Sequence, residues 1–179
     1  TPKPTLMSSY PPNGAIDARD SLAGGFNLNF AGGVIPAVDL RFNADISSPT
    51  ADLFSIKSSN TNNPLTITQV SAITSPTPQR DVEIRLSRYL TPGERVTITH
   101  RSSGLTTCLG FLLGDVSGDG RVLSADVSTL NGVIAGTLTR PIYSADINRD
   151  GVVNAQDLTK LNEIIATPGL IRVLPACPQ

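Results

Sequence analysis

The chain has 179 residues, 39% of them apolar, and a net charge of -1, ordinary proportions for a folded chain with room for one large domain or two small ones. Fourteen basic side chains face 15 acidic ones without clustering, which argues against a nucleic-acid partner, and no apolar run approaches the ~18 residues of a membrane span. One histidine and two cysteines leave almost no material for imidazole-centred catalysis or a Cys/His zinc site.

Aromatic residues make up 4% of the chain and tryptophan is absent, while Gly, Pro, Ser, Thr and Asn are abundant, a bias toward short strands joined by turns. Apolar residues alternate with polar ones at Phe26, Leu28 and Phe30, at Val38, Leu40 and Phe42, at Val82, Ile84 and Leu86, and at Val96 and Ile98. Leu105, Thr107, Leu109 and Phe111 read as a last strand. This period of two predicts an antiparallel β-sandwich over residues 1–109. The turns Pro11-Pro12-Asn13-Gly14-Ala15 and Leu90-Thr91-Pro92-Gly93-Glu94-Arg95-Val96 resemble those of bacterial Ig-like domains of secreted and surface proteins, a resemblance spanning roughly residues 5–100.

From residue 110 the pattern changes, and the sequence repeats itself at a spacing of 31 residues. DVSGDGRVLSAD begins at Asp115 and DINRDGVVNAQD at Asp146. Each has Asp first, an oxygen side chain third, Asp fifth, Gly sixth and Asp twelfth, the oxygen-ligand spacing of an EF-hand calcium loop. The spacing has a physical cause. In a tight loop alternate side chains converge on one centre, and the sixth residue, Gly120 or Gly151, supplies a hinge of positive φ. The first site is expected to use the side chains of Asp115, Ser117, Asp119 and Asp126 with the Arg121 carbonyl. The second is expected to use Asp146, Asn148, Asp150 and Asp157 with the Val152 carbonyl. The ninth residue is Leu123 in one loop and Asn154 in the other, so weaker binding is expected at the first.

Both loops lead into helices with one apolar stripe, Val127, Leu130, Val133 and Ile134 in the first and Leu158, Leu161, Ile164 and Ile165 in the second. Gly136 and Pro168-Gly169 are the expected stops. Leu109-Gly110-Phe111-Leu112-Leu113-Gly114 makes a poor entering helix, so only the exit helix of each hand is expected.

Paired half EF-hands, Asp in place of Glu at the twelfth position and a tandem repeat closely resemble a type I dockerin over residues 110–170. The resemblance implies a small α-helical module, residues 110–179, with two F-hand calcium loop-helix motifs, two Ca2+ ions and a cohesin-type partner. It places partner contacts at Ser124, Ala125, Asn131 and Gly132 in the first repeat, and at Ala155, Gln156, Asn162 and Glu163 in the second. The two sets differ in chemistry, which argues for one preferred face. Dockerin termini approach one another, so the resemblance also allows a disulfide between Cys108 and Cys177, with two free thiols as the alternative. Such a bond implies an oxidising, extracellular setting, secreted or at the cell surface.

The expected function is therefore non-catalytic, calcium-dependent docking with an Ig-like spacer, within a larger secreted or surface protein that includes polysaccharide-degrading types. The alternative is a calcium-stabilised stalk or terminator whose repeat packs on its own sandwich. Carbohydrate binding by the sandwich is disfavoured, because Tyr10, Tyr89, Tyr143 and five Phe offer little stacking surface. No Gly-x-Ser-x-Gly elbow accompanies His100, which is expected at the solvent or the sheet edge.

Overall fold

The computed structural model describes residues 3–20, 36–46, 48–73 and 80–179. The expected strand at Phe26, Leu28 and Phe30 lies outside the described residues. Among the described residues eight strands precede the α-helices: β1 (Leu6–Tyr10), β2 (Ile16–Asp17), β3 (Ala37–Phe42), β4 (Phe54–Ser58), β5 (Ile67–Ala72), β6 (Asp81–Leu86), β7 (Glu94–His100) and β8 (Thr106–Phe111). They form two four-stranded sheets, in the orders β1-β3-β6-β5 and β2-β8-β7-β4. All neighbours are antiparallel except β2 and β8, which run parallel.

Strict alternation explains the inner strands. Val38 pairs with Ile84 and Leu40 with Val82, and these four are at most 1% exposed. Phe54, Val96, Ile98, Leu109 and Phe111 from the second sheet join the same core, so the sheets lie face to face. The outer strands β1, with a shift between Leu6 and Ser8, and β5 break the alternation. The register of β5 shifts between Ile67 and Gln69, a bulge that turns both Ile67 and Val70 toward the core. The turn Pro12-Asn13-Gly14-Ala15 carries the chain from β1 in one sheet to β2 in the other. Ala15 N–H bonds Pro12 O at 3.0 Å, and Asn13 Oδ1 accepts from Cys108 N–H at 2.7 Å.

His100 departs from the expectation of solvent or sheet edge: it is 2% exposed. Its ring sits 4.9 Å from Phe42 and 5.6 Å from Phe54, with Ser103 Oγ at 2.9 Å from Nδ1 and Ser102 Oγ at 3.2 Å from Nε2. Burial lowers its pKa, so the ring acts as an apolar wall whose nitrogens are served by two serines.

Three helices follow: α1 (Ser124–Ile134), α2 (Ile142–Ala145) and α3 (Ala155–Ala166). The single turn α2 precedes the second loop, where sequence predicted no entering helix. Its four residues are too few for a helical period to register, and Tyr143 within it is buried against the sandwich core. Leu130, Leu161 and Ile164 bury the facing stripes of α1 and α3, with Val127, Val133, Leu158 and Ile165 packed beside them. Ile134 lies at the margin, 37% exposed. Among the described residues no helix is long and apolar enough to cross a membrane.

The sheets and helices are knit together. Strand β8 runs on to Phe111, past residue 109. Ala18, which follows β2, is fully buried in the helical core beside Leu130, Ile147 and Leu161. Ile16, Leu112, Val122 and Leu174 form a smaller cluster between the two parts. The tail returns along the first loop, with Val122 N–H to Arg172 O and Leu174 N–H to Gly120 O, both 2.9 Å. It then closes the Cys108–Cys177 disulfide.

Candidate metal centre

Each loop is organised by its first and last aspartates. In the first, Asp115 Oδ1 accepts from the N–H of Gly118 at 2.8 Å and of Asp119 at 3.2 Å, and from Ser117 Oγ at 3.2 Å. Its Oδ2 accepts from Gly120 N–H at 2.8 Å. Asp126 bridges the loop's start and end, accepting from Ser117 N–H at 2.9 Å and from Leu123 N–H at 2.7 Å. The second bond caps α1, whose preceding residue, a leucine, has no side-chain acceptor. Asp119 Oδ1 accepts from Arg121 N–H at 2.8 Å.

The second loop repeats this frame 31 residues later. Asp146 accepts from Asp150 N–H at 3.1 Å and Gly151 N–H at 3.0 Å. Asp157 accepts from Asn148 N–H at 3.1 Å and Asn154 N–H at 2.8 Å. Asp150 accepts from Val152 N–H at 2.9 Å. Asn154 Oδ1 takes Gln156 N–H at 2.7 Å, so this ninth residue serves as the helix cap. The sixth residues, Gly120 and Gly151, have φ of 84° and 89°, the hinge that the spacing demands.

Carboxylates crowded together and shielded from water resist ionisation. Burial, helped by the charges of Asp126 and Asp119 and opposed by the Gly120 and Gly118 N–H donors, pushes Asp115 up to about 6. Burial also raises Asp146, with Asp157 and Asp150 adding to the effect. A divalent cation among these oxygens would stabilise the ionised forms.

Among the described residues no three His, Cys, Asp or Glu side chains already gather as a cage. The donor set is instead mixed: three carboxylates with Ser117 in one loop, three with Asn148 in the other. Neutral and anionic oxygens without nitrogen or sulfur are the chemistry of a hard cation, calcium before zinc. The expected carbonyl donors, Arg121 and Val152, sit at exposed residues. The tail's bonds use Gly120 and Val122, on either side of Arg121.

The expected partner positions are separate from this frame. Ser124, Ala125, Asn131, Ala155, Gln156, Asn162 and Glu163 are exposed. Gly132 is half-buried, and a Cβ there would meet Leu138 at 2.7 Å, so it is a packing position under the turn after α1.

Residues 113–166 match the family model described as Dockerin type I domain. That family binds calcium in general and docks on cohesins. No curated protein matches the chain. Weak likenesses to solved structures include three L,D-transpeptidases. One from Mycobacterium smegmatis is 15% identical with a TM-score of 0.39, covering 63% of this chain and 41% of its own. One in complex with imipenem is 18% identical with a TM-score of 0.37, covering 62% and 41%. L,D-transpeptidase 3 from Mycobacterium tuberculosis is 15% identical with a TM-score of 0.35, covering 60% and 37%. The chain thus spans about two fifths of the length of these proteins. Likenesses of this strength carry no argument about fold or chemistry.

Sequence reasoning missed a set of ionic contacts beside the second loop. Arg149 lies 3.6 Å from Asp17, which pairs with Arg19 at 2.8 Å, and Lys160 pairs with Asp20 at 2.8 Å. The available signal was the fourth loop residue, glycine in one repeat and arginine in the other.

Proposed function

We propose that the chain is a non-catalytic attachment unit: residues 110–179 form a calcium-dependent docking module for a cohesin-type partner, and residues 1–109 an Ig-like spacer. The observation that carries this reading is the hydrogen-bond frame repeated in two acidic loops, within the segment that matches the dockerin family. Asp115, Ser117, Asp119, Asp126 and the Arg121 carbonyl would hold one ion. Asp146, Asn148, Asp150, Asp157 and the Val152 carbonyl would hold the other. Bound calcium supplies the positive charge that fixes each loop against its exit helix, so that the exposed positions on α1 and α3 form a stable docking surface.

The Ig-like reading of the spacer is supported by strand order. Labelled alphabetically with β2 as a split of the first strand, the sheets read A-B-E-D and A′-G-F-C, the constant-type arrangement. The non-catalytic reading is supported by His100, whose ring is spent on core packing. Tyr143 is buried and Tyr10 is 47% exposed, too little aromatic surface for a sugar platform. A disulfide and a family whose members are typically extracellular or surface-attached support a secreted or cell-surface location.

A second reading has its own support. Ala18 in the helical core and Tyr143 in the sandwich core favour a calcium-stabilised stalk or terminator. Pull-down of cohesin-type modules by the full chain in calcium and in EDTA separates the two. Capture in calcium that is lost in EDTA supports docking. No capture, with calcium still raising the melting temperature, supports the stalk.

A further inference from the structure

Arg149 occupies the fourth position of the second loop, the place that Gly118 fills in the first. Both have positive φ, 61° for Arg149 and 75° for Gly118, a conformation that suits glycine and that an L side chain resists. Arg149 is the one described non-glycine residue in that region. Its side chain meets the end of β2 and the segment that follows it. Arg149 Nε donates to the Asp20 carbonyl, and its buried Nη2, which has no hydrogen-bond partner, faces the charge of Asp17 Oδ2 at 3.6 Å. Asp17 is 2% exposed and is fixed in turn by Arg19, whose Nε and Nη2 donate at 3.0 and 2.8 Å.

The backbone makes the same connection. Ala18 N–H donates to Tyr143 O at 3.0 Å and Asp20 N–H to Ile147 O at 2.7 Å, and Ile147 is the second residue of the loop. Lys160 of α3 pairs with Asp20. The matching place in the first loop is open: a Cβ on Gly118 would meet nothing within 4 Å.

We propose that Asp17, with the short segment it anchors, positions the second calcium loop by holding Arg149 in the left-handed conformation, so that this loop's affinity for calcium depends on the two-sheet part of the chain. The first loop, with glycine at that position, closes without such help. The inference rests on the reading of both loops as calcium sites. Asp17 and Arg149 lie outside the expected ligand sets and act as positioning residues. Because coupling between two sites is reciprocal, calcium in the second loop also tightens the segment that follows β2.

Each loop carries its own reporter, since Gly120 N–H donates to Asp115 and Gly151 N–H to Asp146. Calcium titration of the metal-free full chain, followed by NMR at these two amides, reads the sites separately. Asp17→Asn is expected to weaken binding at the Gly151 reporter about tenfold, within the usual range of coupling, and to leave the Gly120 reporter unchanged. In an Arg149→Gly background the same substitution has no further effect. A measurement on the unaltered chain guards against a variant that fails to fold: calcium is expected to slow hydrogen exchange at the Asp20 amide. Equal weakening of both sites by Asp17→Asn, weakening of neither, or an Asp20 amide indifferent to calcium overturns the inference alone. If neither glycine amide responds to calcium in the unaltered chain, the calcium reading fails and the inference with it.

Discussion

Acidifying the metal-free chain from about pH 7 to 4.5 is expected to relieve an electrostatic cost that neutral pH imposes on the first loop. Asp115 is fully buried and is pushed by that burial from 3.8 up to about 6. A carboxyl with a folded pKa above its unfolded one binds its proton more tightly when folded, so its contribution to stability falls as pH rises between about 4 and 6. A rise of roughly two units, at about 1.4 kcal/mol per unit, bounds the cost at about 3 kcal/mol. About 2 kcal/mol of this is recovered between pH 7 and 4.5. Asp146 is raised by burial and adds in the same direction. His100 works the other way: burial lowers its pKa from 6.5, so stability is lost as pH falls below that value. An Asp115→Asn variant keeps His100 and Asp146 but lacks the titration at position 115. The assay is urea unfolding of both chains, stripped of metal, at several pH values. The unaltered chain is expected to gain about 2 kcal/mol relative to the variant as pH falls. A constant difference, or one of opposite sign, refutes the argument. With calcium present the trend reverses, because protons and the ion compete for the same oxygens.

Replacing Cys108 and Cys177 together by serine opens a loop with a sequence separation of 69 and is expected to cost about 4 kcal/mol by chain entropy, measured by denaturant unfolding. Leu161→Ala, at a fully buried position between α1 and α3, is expected to cost about 2–5 kcal/mol in the same assay. Ala18→Leu overfills the helical core from the sandwich side and is expected to cost about 1–3 kcal/mol. It should shift the unfolding of sheets and helices together, and two separate transitions would count against the shared packing. For the partner, Ser124→Arg with Asn131→Arg on α1 is compared with Gln156→Arg with Asn162→Arg on α3. One pair alone is expected to weaken cohesin capture, by about tenfold or more, a change of about 1.4 kcal/mol. Equal weakening by both would contradict a single preferred face.

What was legible in the sequence is what repeats over short distances. Val38, Leu40 and Phe42 announced β3, and Val82, Ile84 and Leu86 announced β6, because one buried face imposes period two. The two loops were legible because a cation cage fixes residue types at fixed offsets. The bulge at Ile67 and Gln69 hid β5, since it resets the alternation partway along the strand. The four-residue α2 is shorter than a recognisable helical stripe. Ala18, His100, Asp17 and Arg149 acquire their roles from residues far away in the chain, and no local pattern marks such contacts. The disulfide lay between: the two cysteines were visible, but their approach depended on how the tail returns past Gly120 and Val122.

Both acidic loops are expected to hold calcium in the folded chain. Calorimetric titration of calcium into the metal-free 179-residue chain is the decisive test. Two ions are expected to bind, with Asp126→Ala and Asp157→Ala each removing one. Absence of calcium binding, or retention of both ions in either variant, would contradict this.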